Sequence, residues 1–138
     1  MPSQYEDCIL FLLGKAYQRA LGCFKRRLQE YGLTPVQSLV IVSISEEEGL
    51  SAGEIAKKLI LDYATLSGVL DRLAEGGWII KETAEDDKRL LRIYLTSKAR
   101  EMTKDIIRER DGLNEEVLGG LKLEEKLLLK RLLRDLQK

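Results

Sequence analysis

The 138-residue chain has no histidine, two prolines and two cysteines. Without histidine it lacks the commonest metal ligand and the usual proton carrier near neutral pH. Two cysteines are too few for a disulfide framework. Cys8 and Cys23 stand fifteen positions apart on one expected helix, roughly 22 Å, so they cannot bridge within a chain. No phosphate-cradling glycine loop and no CxxC pair occurs, and the carboxylates follow surface-helix spacing. Those absences argue against an enzyme, a metal site or a cofactor. No apolar run approaches the roughly 20 residues of a membrane span. Residues 1–7 are polar and acidic rather than a basic leader, so a cytoplasmic protein with no membrane partner is expected. Excess charge is missing too: 23 basic residues balance 23 acidic ones. The signature of a non-specific nucleic-acid binder is therefore absent, and any DNA contact must come from local placement of charge.

What is present is 44% hydrophobic residues, enough for the core of one domain. Residues 50–95 carry the clearest pattern. Ser51 and Glu54 form a capping-box signature, and Ile55, Ala56 and Leu59 share one helical face, with Lys57 and Lys58 outside it. Asp62 suits the cap of a second helix whose buried stripe is Leu66, Val69, Leu70 and Leu73. Gly76 and Gly77 end that helix. Residues 78–83 and 90–95 are rich in strand formers and flank a charged tip, residues 84–89. Helix, turn, helix, hairpin is the order of a winged helix. The fold class expected is mainly α with a small β-hairpin wing.

The second helix leaves Tyr63, Ala64, Thr65, Ser67, Gly68, Asp71 and Arg72 outward, so its start is small and polar and can enter a major groove. It carries no arginine, lysine, asparagine or glutamine at that start. Thr65 and Ser67 can hydrogen-bond with either polarity, and Ala64 or Tyr63 can touch a thymine methyl. Shape readout through the wing is expected to supply much of the specificity. Tyr63 has a plain alternative, a ring packed over the turn. Lys57, Lys58, Arg72, Lys81, Lys88 and Arg92 are phosphate candidates, with Lys58, Arg72 and Lys88 foremost.

The flanks read as helices. Residues 5–30 repeat apolar side chains every three or four positions, and Arg19, Lys25, Arg26 and Arg27 decorate the other side, as a solvated basic face or, alternatively, as phosphate contacts. Gly32 closes that helix, and Thr34, Pro35 and Gln37 open the next, which runs to about residue 47. A linker-like acidic piece, residues 46–49, follows. Helix resumes over 97–110, a softer stretch with glycines covers 111–120, and leucines crowd 121–136. A lone helix cannot bury leucines spread over several faces, so a homodimer through the first and last helices is expected.

The run LxLDxxTLxxxLxRL over residues 59–73, the glycine pair, the DxR tip at Asp87 and Arg89, the closing Leu95-Thr96, and the LTxxQ of residues 33–37 together resemble the MarR family of bacterial transcriptional regulators. The likeness covers nearly the whole chain; Ala99 stands where many members carry glycine. It implies a winged helix-turn-helix over residues 34–95, with dimerisation arms at 1–31 and 97–138, in one domain of 138 residues. It also implies a regulator, commonly a repressor, that binds a palindromic double-stranded operator as a homodimer. The wing arginine, here Arg89, would enter the minor groove, oriented by Asp87. In the family, small aromatic acids and phenols bind between arms and winged helix; the matching positions are Tyr17, Phe24, Val40 and Ile44. Cys8, near Tyr5, resembles the sensor cysteine of the peroxide-sensing branch but is displaced by two residues. Packing as a small apolar side chain is the plain alternative for it and for Cys23. A rival from another class is a winged helix used only for protein assembly, which would not need the Asp87 and Arg89 pair.

Overall fold

The computed structural model describes residues 1–138. The chain divides into two compact units, one of Leu28–Arg108 and one of Met1–Arg27 with Glu109–Lys138.

The first unit contains α2 (Pro35–Glu46), α3 (Ala52–Leu59), α4 (Tyr63–Glu75), β1 (Ile79–Thr83), β2 (Leu91–Leu95) and the start of α5 (Ser97–Leu118). Each helix begins where its cap residue directs. Thr34 accepts from the Gln37 N–H while Gln37 Oε1 accepts from the Thr34 N–H, and Ser51 and Glu54 repeat the reciprocal pattern. Thr96 caps α5: its hydroxyl accepts from the Ala99 N–H, and Ala99 is fully buried. The helix therefore starts on Thr96 without a glycine at 99. Ile41, Ile44, Ile55, Leu66, Leu70, Leu73, Ile93 and Ile106 fill the core. The expected stripes on α3 and α4 supply it, with Val69 and Leu59 only half-buried.

The hairpin pairs β1 and β2 antiparallel from Ile79 opposite Leu95 to Thr83 opposite Leu91. Trp78, just before β1, is buried beneath the Lys98 ammonium, which lies 4.3 Å from the ring centroid. Thr96 N–H donates to the Trp78 carbonyl, so the hairpin is closed against the core where the indole enters it. The acidic linker differs from expectation in its last residues. Gly49 N–H donates to the Ile93 carbonyl, Ile93 N–H donates to the Leu50 carbonyl, and Ser51 forms a bridge opposite Arg92. The segment before α3 thus covers part of the second edge of β2 through an isolated bridge, pairing amides that edge would otherwise leave open.

The second unit contains α1 (Ile9–Leu28), the end of α5, and α6 (Leu123–Asp135). Two expectations are corrected here. Residues 4–7 form a turn and not the start of α1: the Cys8 N–H donates to the Tyr5 carbonyl, which breaks the helical ladder, and helical bonding begins with Leu12 N–H to the Cys8 carbonyl. At its other end α1 tightens into a 3-10 turn, Gln29–Tyr31, closed by Gly32 at φ 68°. Residues 111–118 are helical throughout as part of α5, where a soft stretch was expected. Gly112 has a packing reason: a Cβ there would run into the Arg27 guanidinium. Arg27 reaches Glu109 and Glu116, each at 3.4 Å, and Arg26 reaches Glu116 at 3.0 Å, while Arg19 donates to the Glu116 carbonyl. Cys23 and these arginines hold the Glu116 carboxyl at about 2: the thiol and Arg26 side chains bond to its anion, and the charges of Arg26 and Arg27 add to them. Leu123, Leu127, Leu128, Leu132 and Leu136 of this unit are exposed, as are Ile9, Leu10 and Leu12.

Candidate nucleic-acid interface

The turn between α3 and α4 holds Ile60 in the left-handed conformation, at φ 56°. A β-branched residue there is uncommon and costs about 1–2 kcal/mol. Leu61 N–H donates to the Ala56 carbonyl and closes the turn. Asp62 then caps α4 with both carboxylate oxygens: Oδ2 accepts from the Thr65 N–H at 2.9 Å and Oδ1 from the Thr65 hydroxyl at 2.6 Å. The hydroxyl and amide of Thr65 hold the Asp62 carboxyl below its ordinary value. Tyr63, Ala64, Thr65, Gly68, Asp71 and Arg72 are exposed along this helix, and Ser67 is half-buried. The Tyr63 ring is 62% exposed, so it is not packed over the turn.

At the tip of the hairpin, Asp87 Oδ1 accepts from both the Arg89 N–H at 3.0 Å and Arg89 Nε at 3.3 Å. The Arg89 side chain is 93% exposed while its base is held, a pre-aimed cation on a protruding loop. Between this tip and α4 lies an open concavity of about 480 Å³, bordered by Tyr63, Ser67, Lys81, Arg89 and the start of α3. Lys88 and Arg72 are exposed near these elements. Lys58 lies 3.7 Å from Glu47 in a loose surface pair that leaves its charge accessible.

Two of the remaining sequence candidates have structural employment. Lys81 Nζ contacts Asp71 Oδ1 at 2.6 Å and ties β1 to α4. Arg92 donates to the Gly49 carbonyl at 2.9 Å and lies 3.6 Å from Asp86 on the tip loop. Below it, Glu48 accepts from Leu95 N–H and from two nitrogens of Arg100. Burial pushes the Glu48 carboxyl up, but the Arg100 side chain, the Leu95 amide and the Arg100 charge outweigh it and leave it lowered. Sequence reasoning missed the bonds of Arg92 to Gly49 and of Glu48 to Leu95 and Arg100, because these partners are more than 40 residues apart and only the bridge between residue 51 and β2 brings them together. It also missed the second bond of Asp62, although a cap aspartate three residues before a threonine was a usable sign.

The other proposed positions are scattered. Cys8 is exposed and Cys23 is buried. Tyr17 is exposed, Phe24 is buried, and Val40 and Ile44 are fully buried in the core of the first unit. Val40 and Ile44 thus offer no surface to a ligand in this conformation, since the core packs them on every side.

A helix-turn-helix followed by an antiparallel hairpin with a charged tip that presents Arg89 defines a winged-helix protein. Residues 31–90 match the profile of the MarR family. It is 36% identical over 99 residues to the HTH-type transcriptional regulator TtmR of Methylorubrum extorquens, a match covering 72% of this chain and 51% of that protein. The chain therefore spans about half the length of that relative. A probable transcriptional regulator from Pseudomonas aeruginosa superposes with a TM-score of 0.91 at 29% identity, over 96% of this chain and 99% of that one. A mutant MarR from E. coli, complexed with operator DNA, shares the fold with a TM-score of 0.88 at 23% identity, over 99% and 100% of the two chains. No helix here is long and apolar enough to cross a membrane.

Proposed function

We propose that this chain is a sequence-specific DNA-binding transcriptional regulator, a cytoplasmic repressor that acts on a palindromic operator as a homodimer. The observation that carries this reading is the pair at the wing tip, Asp87 gripping the backbone and Nε of an otherwise exposed Arg89. A solvated loop has no need to pre-aim a cation, whereas a minor-groove reader gains from one. Thr65 and Ser67 on α4 would face a major groove, with Ala64, Gly68 and Tyr63 beside them. Lys58, Arg72 and Lys88 would contact phosphates. The operator complex of the E. coli relative supports double-stranded DNA as the partner.

The exposed leucines of α6 support a second copy as what covers them. In this reading residues 1–31 and 97–138 are pairing arms and residues 34–95 read DNA, all within one functional domain. Release by a small aromatic or phenolic effector, or by oxidation at exposed Cys8, completes the proposal. Of the positions named for the effector, Tyr17 is exposed and is the one offered to it, while Phe24 is buried. Val40 and Ile44 lie in the packed core of the first unit and offer the effector no surface.

Binding of the full chain to duplex DNA selected from a random pool, followed by a salt titration, tests the reading. The expected result is selection of an inverted repeat with half-sites about 10 base pairs apart and affinity that falls steeply with salt. Failure to select any sequence would sink it. Peroxide should release the DNA from the parent and not from Cys8→Ser; equal release from both retires Cys8 as a sensor.

A further inference from the structure

The start of α4 carries a polarity that its residue types leave open. A threonine hydroxyl can donate one hydrogen bond and accept others, so by itself it accepts contacts from any base edge. Here its proton is spent. The Thr65 hydroxyl donates to Asp62 Oδ1 at 2.6 Å, while Asp62 Oδ2 takes the Thr65 amide at 2.9 Å. The carboxylate has no proton to return, so the geometry admits one direction for the hydroxyl bond. Thr65 Oγ1 is left with lone pairs toward solvent on an exposed side chain.

From this we infer that Asp62 is a specificity-determining residue: it makes Thr65 an obligate acceptor, which reads the exocyclic amino group of adenine or cytosine in the major groove and rejects the carbonyl edges of thymine and guanine. The inference rests on the DNA-binding reading and adds a base rule to it. The major groove presents adenine N6 and cytosine N4 as donors, and thymine O4 with guanine O6 and N7 as acceptors. An acceptor held against the latter faces lone-pair repulsion with no compensating bond, which costs several-fold in affinity. Asp62 acts through Thr65 and is a positioning residue.

Asparagine at 62 makes the decisive variant. It caps helices about as well as aspartate, so α4 keeps its start. The cap requires the amide oxygen to face the Thr65 N–H. That turns the amide nitrogen toward Thr65 Oγ1, where it donates, and frees the hydroxyl proton to point outward. Asp62→Asn should therefore reverse the polarity of Thr65.

The experiment selects duplexes from a random-sequence pool with the parent, Asp62→Asn and Thr65→Val, and compares the four bases at each half-site position by competition. The parent should show one position per half-site favouring adenine or cytosine over thymine and guanine by about three- to tenfold. Asp62→Asn should shift that position toward thymine or guanine, and Thr65→Val should flatten it. Loss of a negative charge in Asp62→Asn raises affinity for all sequences alike and leaves base ratios unaffected, so the ratio is the readout. A preference that is unchanged in Asp62→Asn overturns the inference, as does one retained in Thr65→Val, which keeps the methyl group and would make that group the reader. A parent that selects nothing overturns the DNA-binding reading itself, and the inference with it.

Discussion

Single side chains in this chain act by being held rather than by being unusual. Arg89 is one of 23 basic residues, and what distinguishes it is the grip of Asp87 on its backbone and Nε. Arg89→Ala should weaken operator binding and lower the salt slope by about 1 to 2, one cation per protomer of a dimer, with the thermal midpoint nearly unchanged. Parental affinity across the whole titration would move specificity from the wing to α4. Ile60 presents the opposite case, a residue placed at a cost. It is 74% exposed, so its side chain contributes little burial, while φ 56° strains it. Ile60→Gly should raise stability by about 0.5–1 kcal/mol, the relieved strain less the added chain entropy. A urea midpoint that shifts upward with an unchanged slope is the expected measurement, and a lower midpoint would show that the turn is unstrained.

At the scale of elements, the wing is braced from behind. Arg92 joins the tip loop to the Gly49 carbonyl, and Glu48 joins the same entry segment to β2 and α5. Lys81 and Asp71 tie β1 to α4. These bonds fix where Arg89 points relative to Thr65, all within one compact unit. Arg92→Met keeps the aliphatic stem and removes the brace. Operator affinity should fall while the salt slope stays parental, since the lost group orients the wing without touching phosphate. A slope reduced by about 1 to 2, as for Arg89, would instead make Arg92 a direct DNA contact. The helices and the hairpin were readable beforehand because caps, glycines and apolar spacing are local. Ser51 with Glu54, Thr34 with Gln37, and Asp62 all mark helix starts where they were expected. The bonds of Arg92 to Gly49 and of Glu48 to Leu95 and Arg100 were unreadable because partners more than 40 residues apart leave no periodic trace.

For the whole molecule, exposed apolar surface and acid sensitivity are the testable properties. Leu128 and Leu132 lie one turn apart on the same side of α6, and both are exposed. Charging both, Leu128→Glu with Leu132→Glu, should turn a dimer into monomers by sedimentation while helix content remains. A dimer of parental strength would place the interface elsewhere. Acid should loosen the second unit. The Glu116 carboxyl is depressed from 4.5 to about 2 by its Cys23 and Arg26 bonds. A depressed folded value favours the native state above the unfolded value, and that contribution is lost as pH falls from about 4.5 toward 2. Glu48 and Asp62 are lowered as well and act in the same direction. Glu116→Gln should flatten the fall in thermal midpoint over that window relative to the parent. An identical pH profile in the two proteins would assign the acid response to other carboxylates.

The residues alone determined the order of elements, the starts of α2, α3 and α4, the core faces of α3 and α4, and the charged tip, since each rests on neighbours within one or two helical turns. Tertiary structure decided the rest. It kept α5 helical through Gly112, where the missing side chain admits the Arg27 guanidinium. It withdrew Val40 and Ile44 into the core, engaged Lys81 and Arg92 in the wing brace, and left Arg89 exposed. The direction of the Thr65 hydroxyl also needed coordinates, although its partner is only three residues away. Composition can say that a threonine has a proton to give, but only the position of the Asp62 carboxylate beside it determines where that proton goes.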